Sequence, residues 1–332
     1  MGMGKTKKPT IGFVGQGFVG KNYADDFEER GFPVIRYALE EPYRQNKDKL
    51  KKADIVFVCV PTPTTPEGFD YSIVDEGVSL AGKGKITLIK STILPGTTKR
   101  IQARHPDKIV LAFPEFLSVA TAKKDVEEPL YHVIGMAGKT AKERRAAKLV
   151  LSISRPARDS FISDSNEAEL IKYSHNANGY VQTVLFNILY DLSVAMRADW
   201  NVIERAMDAD PYVSSWYIHP LHKKGRGAGG GCFIKDFAAL RVLYEDMVPV
   251  DELGRRVFRA IERKNVDLLV SSKKDPELLR GIYGENPQAF LEIRHREVDT
   301  RQEKAASRRV SKGVINSPSN NIASSRKSRG KK

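Results

Sequence analysis

At 332 residues the chain exceeds one ordinary core and calls for two domains plus extensions, and 41% hydrophobic content is enough to pack them. No apolar run approaches the roughly 20 residues that a bilayer span needs, which excludes a membrane-embedded function. Two cysteines cannot build a disulfide framework and suit a reducing, cytoplasmic setting, while the net charge of +14 raises the question of a polyanionic partner.

The opening MGMGKT reads as a frayed basic terminus, since no strand precedes it to make a phosphate loop and it begins with no apolar signal segment. A short apolar strand then runs from Thr10 to Val14. Gly15, Gly17 and Gly20 follow as G-x-G-x-x-G, with Gln16, Phe18 and Val19 between them, and an amphipathic helix continues to about Arg30. Strand, turn and helix in that order set a pyrophosphate against the free N–H groups of a helix N-terminus. Gly31 closes the helix and PVIRY reads as the second strand. The ribose-binding acid expected about 20 residues on is replaced by Ala38, with Glu40 and Glu41 just beyond. These favour NAD, while Arg36 leaves NADP open.

Four more strands follow at βαβ spacing: ADIVFVCV, KITLIKST, KIVLAFPE and HVIGMAG. Their near-continuous apolar runs suit a parallel sheet covered on both faces, in which Cys59 is a buried small hydrophobe. Ligands of open α/β sheets bind at the C-terminal strand ends, which carry Val60, Pro61 and Thr62, then Thr92, then Glu115. The expected fold is therefore α/β, a Rossmann-type doubly wound parallel sheet, followed by an all-α central domain and a disordered basic tail.

Asp164 and Glu167 resemble a capping box that opens a helix to about Trp200. Lys172 and Asn176, four apart, share one face of it. GRGAGGGCFIKDF then gathers five glycines around Cys232 before a helix beginning near Lys235 and Asp236. From Arg301 onward ten basic residues face one acid, a composition of disorder and of weak contact with polyanions. The domains are expected at 9–155 (dinucleotide-binding), 160–265 (helical, dimerising and catalytic) and 266–332 (extension, disordered from about 300).

GFVGQGFVG, VPTPTTPEGFD, KSTILPGTT, FPEF, EAELIKYSHNA and GAGGGCFIKD occur in the order found in UDP-glucose/GDP-mannose dehydrogenases, and the chain resembles that family from about Pro9 to about Leu243. The resemblance implies oxidation of the C6 alcohol of a UDP- or GDP-linked sugar to a carboxylate with two NAD, in a homodimer joined through the central helices. It implies that Cys232 traps the aldehyde and carries a thioester. A helix start just after Cys232 would favour its thiolate. Lys172 and Asn176 would hold the oxyanion, Asp236 would position water or take protons, Thr92 would hold that water, and Glu115 would act as base. Cofactor contacts fall to Gly15, Gln16, Gly17, Phe18, Val19, Gly20, Val60, Pro61, Thr62, Thr92 and Lys235. Substrate contacts fall to Glu115, Phe116, Leu117, Lys172, Asn176, Lys223, Arg226 and Gly229; no metal is expected.

The family's third domain has no counterpart after Asp236, and Ala228, Ile234 and Val119 stand where an aromatic, a proline and an acid are expected. A compact short form is the implied reading. Two alternatives stay open: a two-electron 3-hydroxyacid dehydrogenase, which needs no thiol, and a catalytically idle NAD-binding relative.

Overall fold

Short apolar runs with both faces covered become strands, and in the computed structural model, which describes residues 7–292, seven of them make one sheet. In chain order the first half runs β1 (Ile11–Val14), α1 (Phe18–Glu29), β2 (Val34–Tyr37), a 3₁₀ segment (Arg44–Lys52), β3 (Ile55–Val58), β4 (Thr64–Thr65), β5 (Gly68–Phe69), α2 (Ser72–Ser79), β6 (Ile86–Ile89), α3 (Thr97–Arg104), β7 (Ile109–Ala112), α4 (Ala122–Glu127), β8 (Tyr131–Met136), α5 (Ala141–Ile153) and β9 (Asp159–Asp164). The sheet order is β2-β1-β3-β6-β7-β8-β9, while β4 and β5 pair as a separate hairpin. Strand order reverses between β1 and β3, which opens a crevice at their C-terminal ends.

Two features of the sheet depart from the sequence reading. β8 runs antiparallel to β7. Its connection carries only the six-residue α4, too little for a full crossover helix. β9 was not expected at all. Its sequence, DSFISD, is polar because it forms the outer edge, paired only with β8, where water covers one side.

One face of the sheet buries a stack of rings: Phe13, Phe27, Phe57 and Phe113, with Phe13 and Phe57 at 4.9 Å between centroids. The other face packs Val14, Val56, Val58 and Leu50 against α2 and the 3₁₀ segment. Both faces are apolar, as strands buried on two sides require.

The second half runs α6 (Ser165–Ala195), α7 (Trp200–Asp208), a 3₁₀ turn (Ser215–Tyr217), β10 (Leu221–His222), β11 (Gly225–Arg226), α8 (Phe233–Met247), α9 (Glu252–Ser271), α10 (Pro276–Tyr283) and α11 (Pro287–Glu292). Asp164 and Glu167 make the reciprocal capping box that starts α6. The helix ends at Ala195, short of Trp200, because Arg197 turns left-handed and Asp199 caps a new helix instead. Tyr180 of α6 stacks on Phe237 of α8 at 4.0 Å, and Ala228 closes the same small core. Residues through Gln288 form one compact unit. The expected tail from Arg301, with its disorder and polyanion contacts, lies outside the described residues, as does MGMGKT.

Candidate active site

The glycine turn is built to take a dinucleotide. Gly15 sits at φ +91°, and a Cβ there would meet the Cys59 carbonyl oxygen at 2.2 Å. A Cβ on Gly20 would stand 2.0 Å from the Gly15 oxygen, so both positions admit glycine alone. Gly17 faces open space and caps α1 without any side-chain bond, leaving the N–H groups of the first turn for a ligand's phosphates. Gln16 and Val19 are half-buried beside it and Phe18 is exposed. The residues therefore fit NAD. Arg36 is committed elsewhere: its guanidinium pairs with Asp25 at 2.7 Å and Glu28 at 2.6 Å, which neutralises the cation that an extra ribose phosphate would need. Glu40 and Glu41 are exposed beyond β2.

The loops at the strand ends interlock. Ser91 Oγ accepts the Val60 N–H at 2.9 Å, and Thr62 Oγ1 donates to the Thr92 carbonyl at 2.8 Å, with Pro61 exposed between them. The first turn of α8 docks on this loop. Thr64 Oγ1 donates to the Lys235 carbonyl at 3.1 Å, and Lys235 Nζ donates to Thr62 Oγ1 at 3.3 Å.

A polar chain then crosses from α8 to α6. Lys235 Nζ also pairs with Asp236 Oδ1, and the other oxygen of Asp236 accepts from Asn176 Nδ2 at 2.7 Å. One turn earlier on α6, Lys172 Nζ lies 3.4 Å from Glu115 Oε1. Asp236, Asn176, Lys172 and Glu115 are all buried. Glu169 fixes the axial position of Lys172, because its carboxylate caps α3 through the N–H groups of Gly96 at 2.6 Å and Thr98 at 2.8 Å. Thr92, Lys172, Glu169 and Ser91 enclose a cavity of about 10 Å³, room for one water.

Cys232 is the N-cap residue of α8, and its carbonyl accepts the Asp236 N–H at 3.0 Å. The thiol is exposed, yet Asp236, Lys235, Lys172 and Glu115 all lie near enough for their charges to reach it. The expectation that a helix start lowers its pKa is not met. Desolvation by the surrounding chain, and Asp236 next, raise the thiol above its ordinary value, against the opposing pull of Lys235 and Lys172. Cys59, half-buried beneath the glycine turn, is pushed up to about 12 by desolvation.

Arg226 is bound inward: its Nε donates to Asn187 Oδ1 at 2.9 Å and its Nη1 pairs with Asp191 at 2.7 Å, which ties the glycine loop to α6. Lys223 stays exposed at the β10–β11 hairpin tip, at φ +51°. The N–H of Leu117 is taken by Glu115 Oε2 at 2.6 Å. Phe116 lies against Tyr131 and His175, with Lys172 Nζ 5.3 Å from its ring centroid. Ala228 is buried, Ile234 is buried in the first turn of α8, and Val119 is exposed. Gly229 is half-buried beside Asp275.

Lys90 is not among the expected site residues. It is buried at the end of β6 between the rings of Tyr23, 4.1 Å away, and Phe113, 3.8 Å away, and desolvation lowers its pKa to about 7. A lysine closing an otherwise apolar strand was the available signal.

Among the described residues no helix is long and apolar enough to cross a membrane. The chain matches two models of one family: UDP-glucose/GDP-mannose dehydrogenase family, NAD binding domain, over residues 41–152, and the family's central domain over 166–265. It is 26% identical over 227 residues to a UDP-glucose 6-dehydrogenase of Rickettsia bellii, covering 66% of this chain and 50% of the relative, so it spans about half that protein's length. A UDP-glucose dehydrogenase structure from Pyrobaculum islandicum shares the fold with TM-score 0.67 at 22% identity, covering 82% of this chain and 72% of the other. A Mycobacterium tuberculosis 3-hydroxyisobutyrate dehydrogenase shares it with TM-score 0.59 at 16% identity, covering 79% and 96%. With the two models accounting for most of the described chain, and the glycine turn, the polar chain and the thiol loop arranged around one crevice, the protein belongs to the UDP-glucose/GDP-mannose dehydrogenase family.

Proposed function

We propose that this chain oxidises the C6 alcohol of a nucleotide sugar to the carboxylate in two steps, through Cys232. NAD, when bound, accepts the hydride in each oxidation. The alcohol proton of the first oxidation passes toward Asp236, and the resulting aldehyde meets the Cys232 sulfur to give a thiohemiacetal. Lys172 and Asn176 donate to its oxyanion, a role in which one donor contributes about 3 kcal/mol. The second oxidation leaves a thioester. Water attacks that carbonyl, Glu115 takes the proton, and the thiol departs with the carboxylate formed. The balance is one alcohol, one water and two NAD+ consumed, and one carboxylate, two NADH and three protons formed.

The observation that carries this reading is the placement of an exposed thiol within the field of four buried or half-buried charged groups at the mouth of the cofactor crevice. NADH formed per substrate consumed tests it, and a ratio near two is expected.

The second reading is a two-electron 3-hydroxyacid dehydrogenase, favoured by the chain covering nearly the whole length of the 3-hydroxyisobutyrate dehydrogenase structure. It expects a ratio near one and no need for Cys232. The expected homodimer would seat on α6, where Leu185, Ile188, Leu189 and Leu192 are exposed on successive turns. Light scattering should then return twice the 37.1 kDa chain mass.

A further inference from the structure

The loop that presents Cys232 has almost no apolar anchor between Ala228 and Phe233, so something else must hold it. Asn265 of α9 clasps Ala228, accepting its N–H at 2.6 Å and donating to its carbonyl at 2.9 Å. Beyond residue 265, where the match to the family's central domain ends, the chain makes a sharp turn at Lys273 and Asp275, both left-handed at φ +55° and +51°. That turn points two charged groups back at the loop. Lys274 Nζ, buried, donates to the Gly227 carbonyl at 2.8 Å, and Asp275 Oδ2 accepts the Gly230 N–H at 2.7 Å. A Cβ on Gly229 would stand 2.2 Å from that same Asp275 oxygen, so the loop and the turn are fitted to each other. α10 then returns across α8 and onto β4, the hairpin strand that also touches α8 through Thr64 and Lys235.

We propose that Lys274 and Asp275 are positioning residues for Cys232: the turn before α10 sets the pose of the thiol loop against the cofactor crevice from outside the family-matched part of the chain. A left-handed Asp and a buried ammonium both cost stability, so each is held there by the bond it makes. Desolvation lowers the pKa of Lys274, as expected of an ammonium kept for a carbonyl rather than for solvent. Lys274 spans the outside of the loop and Asp275 its tip, leaving Cys232 two residues beyond Gly230 with its backbone direction fixed. The catalytic meaning rests on the reading of Cys232 as the reactive thiol, whereas the positioning itself is measurable without any substrate.

The test is iodoacetamide alkylation of the full-length protein, read by mass spectrometry at each cysteine. Asp275→Gly keeps the left-handed backbone and removes the acceptor. Lys274→Met keeps the aliphatic stem over the loop and removes the donor. Freed from its pins, the loop opens Cys232 further to the reagent, so each variant should alkylate it about fivefold faster, the shift that one net hydrogen bond allows. Glu277→Gln, exposed on the same helix, should change nothing, and Asp275→Asn should restore most of the native rate. Cys59 reports global opening and should stay unlabelled, with NAD affinity unaltered. An unchanged Cys232 rate in both variants, or a parallel rise at Cys59, overturns the proposal. A shift at Cys232 in a protein that yields one NADH per substrate would retain the positioning and remove only the thioester chemistry.

Discussion

The two walls of the crevice are held by different physics. The cofactor wall is stiffened by burial: four phenylalanines stack through the sheet, and the glycine turn rests on that platform through the Cys59 carbonyl. The thiol wall has a small core of Tyr180, Val184, Ala228 and Phe237, and the loop ahead of Cys232 is pinned by polar groups reaching back from α9 and the turn after it. An apolar platform tolerates small displacements because its energy varies smoothly with area. Polar pins do not, since each depends on one donor and one acceptor. Burial thus supports the wall that needs only to bind, and directional bonds support the one that must aim an atom.

The largest effect should come from the aimed atom. Cys232→Ser should reduce acid formation by more than about a thousandfold while leaving NAD affinity within twofold, as expected when a covalent step is removed and the rest of the site persists. Acid production at the native rate in that variant would take the thiol out of the mechanism and make the two walls equivalent.

The cofactor wall was largely legible in the sequence because its signals are local: apolar runs of four residues, glycines at fixed spacing, and unusual residues at strand ends. Asp164 and Glu167 announced the start of α6 for the same reason. What the sequence did not show mostly involves partners distant in it. Polar DSFISD became an edge strand only because β8 offered it a side. The partners of Arg226, Asn187 and Asp191, lie 35 or more positions away. Gly230 and Asp275 are 45 positions apart, and nothing near either one names the other.

Stability measurements should sharpen the contrast between the walls. Phe57→Ala removes a ring that touches Phe13, Phe27 and Phe113, and should cost about 3–5 kcal/mol in urea unfolding without altering Cys232 alkylation in the folded protein. Asn265→Ala leaves the N–H and carbonyl of Ala228 unpaired in a buried place. It should cost less, about 2–3 kcal/mol, and yet accelerate Cys232 alkylation. Equal effects on the thiol from both variants would mean that the walls are one mechanical unit.

The smallest expected effect lies where the walls touch. Lys90 sits under the cofactor wall, its ammonium between two rings and near Glu115 and Lys172, with the pKa lowered from 10.5 to about 7. Above pH 7 the folded protein has released this proton while the unfolded chain still holds it, so the unfolded state binds more protons and stability rises with pH. The rise should run from about pH 7 until Cys59 intervenes. The Cys59 pKa is raised from 9.0 to about 12, so from pH 9 the folded state holds an extra proton there; this cancels the Lys90 slope up to about pH 10.5, and only above that does stability fall. Lys90→Met should therefore flatten the urea midpoint between pH 7 and 9 and turn the plateau from pH 9 to about 10.5 into a decline. A midpoint that climbs equally in the variant would assign the slope to another group and free Lys90 from any part in the electrostatics beneath Glu115.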